Sequence, residues 1–345
     1  MKRRTFIAGV GTGVAATAGC LGSQQESGDG VVTVATYDSF VDGEEPVGPW
    51  LKEAFEERRD DDVTVEFQVP EAGVNQYIQR AQQDAPIEAD LYVGLNVDEL
   101  IRIDDELDDP LFDSLSGQLE RDDRVLDELR FDPDGRAVPY DTGYISLVYD
   151  ENEVEPETFE DLTAERNRGN LIVQNAQQSD PGRAFLLWTI HEFSADGYLD
   201  YWQDLQDNEV RVLGSWNDAY NAYLEEEAPM VVSYSTDQVY YGDTPRHQVG
   251  FLNDQGYANP EGMARFADAG DPEATVDLME FMLTPEVQAE IAQRNVQFPA
   301  VDDADLDEEF SQFAHVPPEP VTFTYDELAG NLDGWVEDWA RQVAQ

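Results

Sequence analysis

The stretch AVPYDTGYISLVYD, residues 137–150, is a long β-rich run lying between two series of alternating strands and helices, and its reading decides the architecture. Before it, VVTVATYDSF (31–40) reads as a buried strand ending in polar residues. PWLKEAFEERR (49–59) places Trp50, Ala54, Phe55 and Arg58 at helical spacing. VTVEFQV (63–69) is a second strand, GVNQYIQRAQQD (73–84) a second helix and ADLYVGLN (89–96) a third strand. A βαβαβ series implies a largely parallel sheet with helices on its faces. After it the pattern starts again with LIVQN (171–175) and the helix DPGRAFLLWTIHEF (180–193), where Asp180 can cap and Pro181 suits the first helical position. VRVL (210–213), the helix SWNDAYNAYLEEEA (215–228) with Ser215 as cap, and MVVSYS (230–235) complete it. The run at 137–150 therefore passes from one lobe to another, and FLNDQGYANPEGMARF (251–266) is the natural return. DPEATVDLMEFMLTPEVQAEIAQ (271–293) then reads as helices going back to the first lobe. The expected fold is α/β: lobe 1 from residues 31–142 and 258–345, lobe 2 from 143–257, joined by a two-segment hinge beside a cleft.

In open α/β sheets, ligands sit beyond the carboxyl ends of the strands, where helix N-termini gather. Tyr37-Asp38-Ser39, Gly94-Leu95-Asn96, Ser179, Ser215-Trp216 and Tyr234-Ser235-Thr236 fall at such places. The two-lobe reading makes them converge.

The first twenty residues set the address. Lys2-Arg3-Arg4 precedes a Gly/Ala/Val/Thr run and the ending Thr17-Ala18-Gly19-Cys20, with no acid before Cys20, which is an export signal. Arg3-Arg4 followed by Thr5-Phe6-Ile7 resembles a twin-arginine signal, and the ending resembles a lipobox. Cys20 is the only cysteine, so its expected role is the lipid anchor that holds the protein to the outer face of the cell membrane. Residues 21–30 have a tether's composition.

The formal charge is −55, Lys occurs only at positions 2 and 52, and acids are spread along every segment, the pattern of a protein adapted to molar salt. At about 1 M salt the Debye length is roughly 3 Å, so this diffuse charge cannot steer a ligand from afar. It does exclude nucleic acid, for no basic patch exists to neutralise phosphates. Enzyme signatures are missing as well. His191, His247 and His315 show no metal-binding spacing, and the mature chain holds no nucleophile elbow, Walker loop or dinucleotide fingerprint. A binding protein without cofactor, acting as a monomer, is expected. Trp335 and Trp339, four apart near the C-terminus, read as a core stripe.

Seven motifs in this order carry a resemblance: VATYDSF, ADLYVGLN, VPYDTGYISLVYD, the DPGRAFLLW helix, GSWNDAY, VVSYSTDQVYY and EFMLTPEVQ. Together they resemble the solute-binding proteins of thiamine ABC transporters over nearly all of residues 31–345. The resemblance implies a type II periplasmic-binding-protein fold, capture of thiamine or its phosphates, and delivery to a membrane permease driven by a separate ATPase. It also implies ligand contacts from Tyr37, Ser179, Trp216, Tyr234 and Tyr240. Two positions depart from the family pattern: Ala72 stands where relatives have an acid, and Val296 where they have a tryptophan.

Thiamine carries a permanent positive charge on its thiazolium and a flat aminopyrimidine, so its site needs aromatic faces and polar partners. Asp38, Asn96 and Asp141 are candidates for the polar contacts, and Ser39 and Ser179 lie near helix starts where a phosphate oxygen could be received. The adjacent Tyr240 and Tyr241 leave a second reading open, because ferric-ion-binding relatives of the same fold use a vicinal tyrosine pair and phenolate suits a hard trivalent metal. Adjacent helical residues point about 100° apart, so Tyr240 is expected to face the cleft while Tyr241 packs away.

Overall fold

The computed structural model describes residues 30–43 and 45–343. The export signal, the tether up to residue 29 and the anchor Cys20 lie outside the described residues. Among the described residues no helix is long and apolar enough to cross a membrane.

The strands are β1 Val31–Ala35, β2 Thr64–Gln68, β3 Leu91–Leu95, β4 Ala137–Tyr149, β5 Leu171–Gln174, β6 Arg211–Leu213, β7 Met230–Tyr234, β8 Gln248–Gly250, β9 Gln255–Arg265, β10 Phe298–Pro299 and β11 Glu319–Val321. They join in one sheet of order β2-β1-β3-β9-β4-β7-β5-β6, with β8 and β10 added to β4 and β11 to β9. β1, β2 and β3 are parallel, as are β5, β6 and β7, so each half repeats one winding. β4 and β9 run antiparallel along each other from Ala137↔Ala264 to Ile145↔Tyr257 and tie the halves together. They are the stretch that opened the sequence reading and its return. Their length explains the role: thirteen and eleven residues at about 3.4 Å each outreach a single half's sheet.

Each half has its own apolar core. One gathers Phe40, Leu51, Phe55, Met279 and Met282 under β1 and β3, and a second packs Tyr77, Tyr92, Phe112 and Phe266 on the opposite face. The other half is built on Phe159, Phe185, Trp188 and Trp202. The helices Pro272–Met282 and Pro285–Asn295 return to the first half as expected, each opened by proline near its start, where the missing N–H costs nothing.

The chain end differs from expectation. Leu332–Val343, assigned by sequence to lobe 1, lays Trp339 edge-on against Trp202 at 5.3 Å and joins the core of the second half. The helix buries Leu332 and Trp339, and the indole surface that receives Trp339 lies on the other lobe. The connector 315–320 also does more than connect, because Glu319–Val321 pairs in parallel with β9.

Candidate binding cleft

Between the halves lies a cleft of about 670 Å³, lined from the first half by Tyr37, Tyr92, Glu99, Glu261 and Asn295, and from the second by Asp180, Trp216, Tyr220, Tyr234, Tyr240 and Tyr241. That volume suits a small organic molecule.

Tyr37 follows β1 and sits over Gly94, whose φ of +100° already favours glycine. A Cβ there would come within 2.6 Å of the Tyr37 ring. Gly143 does the same for Tyr234, since a Cβ would lie 2.5 Å from that ring. Backbone choice thus lets both aromatic faces lie against the crossing region. On the second half, Ser215 caps the helix Trp216–Leu224 by accepting from Asp218 N at 3.0 Å. This first turn holds Trp216 stacked on Tyr220 (4.8 Å, 13°), and Trp216 Nε1 donates to Ser233 Oγ at 3.1 Å. The indole is therefore presented edge-pinned, ready to stack on a ring.

Polar contacts run behind the aromatic wall. Tyr140 donates to Glu261 Oε2 at 2.7 Å, and Tyr37 and Tyr140 share a hydroxyl contact at 3.2 Å. Asn295 Nδ2 donates both to the Tyr37 hydroxyl (2.9 Å) and to Asp141 Oδ2 (2.8 Å). Burial lifts Glu261 to about 7, against the hydrogen bond from Tyr140 and helped by repulsion from Asp180. Glu99 is raised by burial and by Asp180 and Asp98, and Asp180 by burial and by Asp98 against Arg183. The cleft thus holds carboxyl groups that repel one another. Among the described residues that line it, Arg294 is the one basic side chain, and it is bound to Glu290 at 3.0 Å. Added positive charge would relieve that repulsion.

Of the residues singled out from the sequence, Tyr37, Asp38, Ser39, Trp216, Tyr234 and Tyr240 line the cleft. Asp38 and Ser39 are exposed. Three do not line it. Asn96 is 2% exposed and serves as N-cap of the helix Val97–Glu106, with Glu99 Oε2 accepting from its backbone N–H at 3.3 Å. Ser179 is the N-cap of the helix Asp180–Asp207, so Asp180, read as the cap, becomes its first residue and faces the cleft instead. Asp141 is fully buried behind the wall on β4, held by Asn295. Asn96 and Ser179 are used up as helix caps, and Asp141 lies inside β4 with its side chain turned into the protein, so none of the three emerges into the cleft.

Tyr240 and Tyr241 both line the cleft, but differently. Tyr240 is 42% exposed, while Tyr241 stacks flat on His247 at 3.6 Å and 8°. His247 Nδ1 lies 2.8 Å from Asp237, which also accepts from Tyr220. Tyr220 is buried in the core beneath the helix Trp216–Leu224 and carries Trp216 stacked on its ring. At the two departing positions, Ala72 is absent from the lining, whereas Val296 belongs to it and ends its helix in the left-handed region at φ 53°. The residues missed by sequence reading are Glu99, Asp180, Glu261 and Asn295. Among 75 acids spread along the chain, nothing local marked three of them.

The chain is similar to known proteins over most of its length. It is 28% identical over 326 residues to the thiamine-binding periplasmic protein of Escherichia coli, covering 91% of this chain and 94% of that one. A solved periplasmic thiamin binding protein superposes with a TM-score of 0.78 at 26% identity, covering 94% of this chain and 98% of the other. A ferric binding protein from Campylobacter jejuni shares the fold at a TM-score of 0.73 and 18% identity, covering 90% and 99%. The fold is that of the type II periplasmic binding proteins. The family model of the bacterial extracellular solute-binding proteins matches residues 50–318, and the chain belongs to that family.

Proposed function

We propose that this protein is the solute-binding component of an ABC importer, taking up thiamine or a thiamine phosphate in the cleft and passing it to a membrane permease. The observation that carries the reading is the meeting of aromatic faces from both halves, Tyr37 from one and the Trp216–Tyr220 stack and Tyr234 from the other, around the carboxylates Glu99, Asp180 and Glu261. A flat ring carrying a permanent cation meets both requirements at once. Each cation–π contact contributes roughly 0.5–2 kcal/mol, while micromolar binding needs about 8 kcal/mol. Stacking, carboxylate contacts and closure of the lobes supply the rest. These are short-range contacts, which molar salt screens little. The activity is capture and delivery without catalysis. The protein works outside the cytoplasm, anchored by lipidated Cys20, as a monomer. The expected moving bodies are residues 31–142 with most of 258–324, and residues 143–257 with the C-terminal helix.

Calorimetric titration at high salt with thiamine, its phosphates, spermidine and ferric iron tests the ligand. Saturable heat with thiamine and none with spermidine or iron is the expected outcome. Iron through Tyr240 and Tyr241 is the second reading, favoured by iron-binding proteins of the same fold. Against it, Tyr241 is stacked on His247, and burial together with Asp237 raises its pKa, which disfavours a phenolate. A visible charge-transfer band on adding ferric iron, with no response to thiamine, would reverse the choice.

Two further results are expected. Thiamine should close the cleft, so X-ray scattering should give a smaller radius of gyration with ligand than without. An unchanged radius alongside tight binding would refute the hinge. Binding should also depend on pH. In the empty cleft Glu261 titrates near 7, and a bound cation favours its charged form, so its pKa falls on binding. Binding therefore expels a proton below about pH 7. Affinity rises with pH, by up to about tenfold per unit below that point, and levels off above it. Glu261→Gln should flatten the profile, and a variant that keeps the slope would assign it to another group.

A further inference from the structure

Resting on the thiamine reading of the cleft, we infer that the protein selects the unphosphorylated cation and turns away its phosphate esters, because the anion-binding positions of this cleft are filled by the chain's own carboxylates. A phosphate group in a site of this architecture would go to helix N-termini, whose unpaired N–H groups and positive dipole ends receive anions. Three helices of two turns or more bring first-turn residues into the lining. Val97–Glu106 does so through Glu99, Asp180–Asp207 through Asp180 and Pro181, and Trp216–Leu224 through Trp216 and Asn217.

Each of these first turns carries an acid of its own. Glu99 reaches back to accept from Asn96 N at 3.3 Å, and Asp180 stands at the first position of its helix. At the third, Asp218 N is taken by Ser215 Oγ at 3.0 Å, and the same hydroxyl donates to Asp218 Oδ2 at 2.8 Å. The helix Pro285–Asn295, by contrast, turns its carboxyl end to the cleft, with Asn295, Val296 and Gln297 in the lining, and that pole favours positive charge.

The guanidinium groups are equally committed. Arg294 is bound to Glu290 at 3.0 Å and lies over the Trp50 ring at 5.2 Å. Arg183, behind Asp180, pairs with Asp98 and donates through Nε to Ala176 O at 3.2 Å. Among the described residues the lining sets seven carboxylates against one arginine, Arg294. A phosphate monoester brings about −1.5 to −2 charges at neutral pH, so thiamine monophosphate carries a net charge of about −0.5 to −1 and the diphosphate is more negative still. Arg183 lies 3.6 Å from Asp180 as well, and a phosphate brought up to these carboxylates meets a repulsive element that discriminates between ligands sharing the same rings.

The test is calorimetric titration of the mature protein at molar salt with thiamine, thiamine monophosphate and thiamine diphosphate, repeated with Asp180→Asn. Thiamine should bind about a hundredfold more tightly than the diphosphate, with the monophosphate between. Asp180→Asn should weaken thiamine and strengthen the diphosphate, narrowing the ratio roughly tenfold. Equal or tighter binding of either ester, with thiamine also bound, overturns the selectivity and leaves the thiamine reading intact. Failure of all three to bind removes both. Equal weakening of thiamine and diphosphate by the variant would show a structural effect on the cleft and count against charge as the selector.

Discussion

Arg183→Met should lower the unfolding free energy by about 3–5 kcal/mol, seen as a drop in the urea midpoint. Arg183 is 8% exposed and its partner Asp98 6%, and the pair joins the helix Val97–Glu106 to the helix Asp180–Asp207. Met fills much of the arginine's volume, so the loss measures the charge left without a partner rather than a cavity. The burial of Arg183 opposes its charge, but Asp98, Asp180 and Glu99 hold it protonated. Without it, Asp180 and Glu99 lose their nearby cation. Their pKa values, already raised, rise further. A carboxyl raised on folding gives its full contribution to stability below its unfolded value near 4 and loses it as pH climbs through the folded one. The deficit of the variant should therefore shrink on acidification from about pH 8 to 5. A second variant separates charge from shape: Arg183→Met with Asp98→Leu should recover most of the loss, because removing both charges leaves no unpaired one. A deficit that does not change with pH, or no recovery in the double variant, would mean the pair is not the cause.

Trp216→Ala should weaken thiamine binding by about 2–4 kcal/mol, roughly 30- to 1,000-fold. The indole is stacked on Tyr220 and tied to Ser233, so its orientation is settled before a ligand arrives and little ordering is left to oppose binding. Trp216→Phe keeps an aromatic face without the hydrogen bond and should lose less. Ser233→Ala, which frees the indole edge, should cost about tenfold or under. Denaturation of the unliganded variants distinguishes a lost contact from a damaged helix. Unchanged affinity in Trp216→Ala would remove the stacking wall from the proposal.

Elements and their order could be read from one sequence because each is a local event. Short apolar runs ending in polar residues mark β1, β3 and β7, and serine before an apolar stripe marks the helix at Trp216. The two crossings were legible because a strand of thirteen residues between two βα series has nowhere else to go. The C-terminal helix was not. Its Trp335–Trp339 stripe says that a face must be buried, but the choice of Trp202 as partner belongs to the far half of the chain.

The same division holds in the cleft. Residue type and position at strand ends placed Tyr37, Trp216 and Tyr234 near a ligand, since aromatic side chains beyond a parallel strand have a limited set of uses. Glu261 stands on a crossing strand among the many acids of this chain, and only its burial in the cleft, with Asp180 near it, lifts it to about 7 against the hydrogen bond from Tyr140, 121 residues away. What sequence alone determined was the alternation of strands and helices, two crossings and an aromatic site, all carried by periodicities a few residues long. What tertiary structure decided was which carboxylates face inward, which cations they consume and which lobe takes the last helix, because charge and packing depend on distances through space that no local pattern encodes.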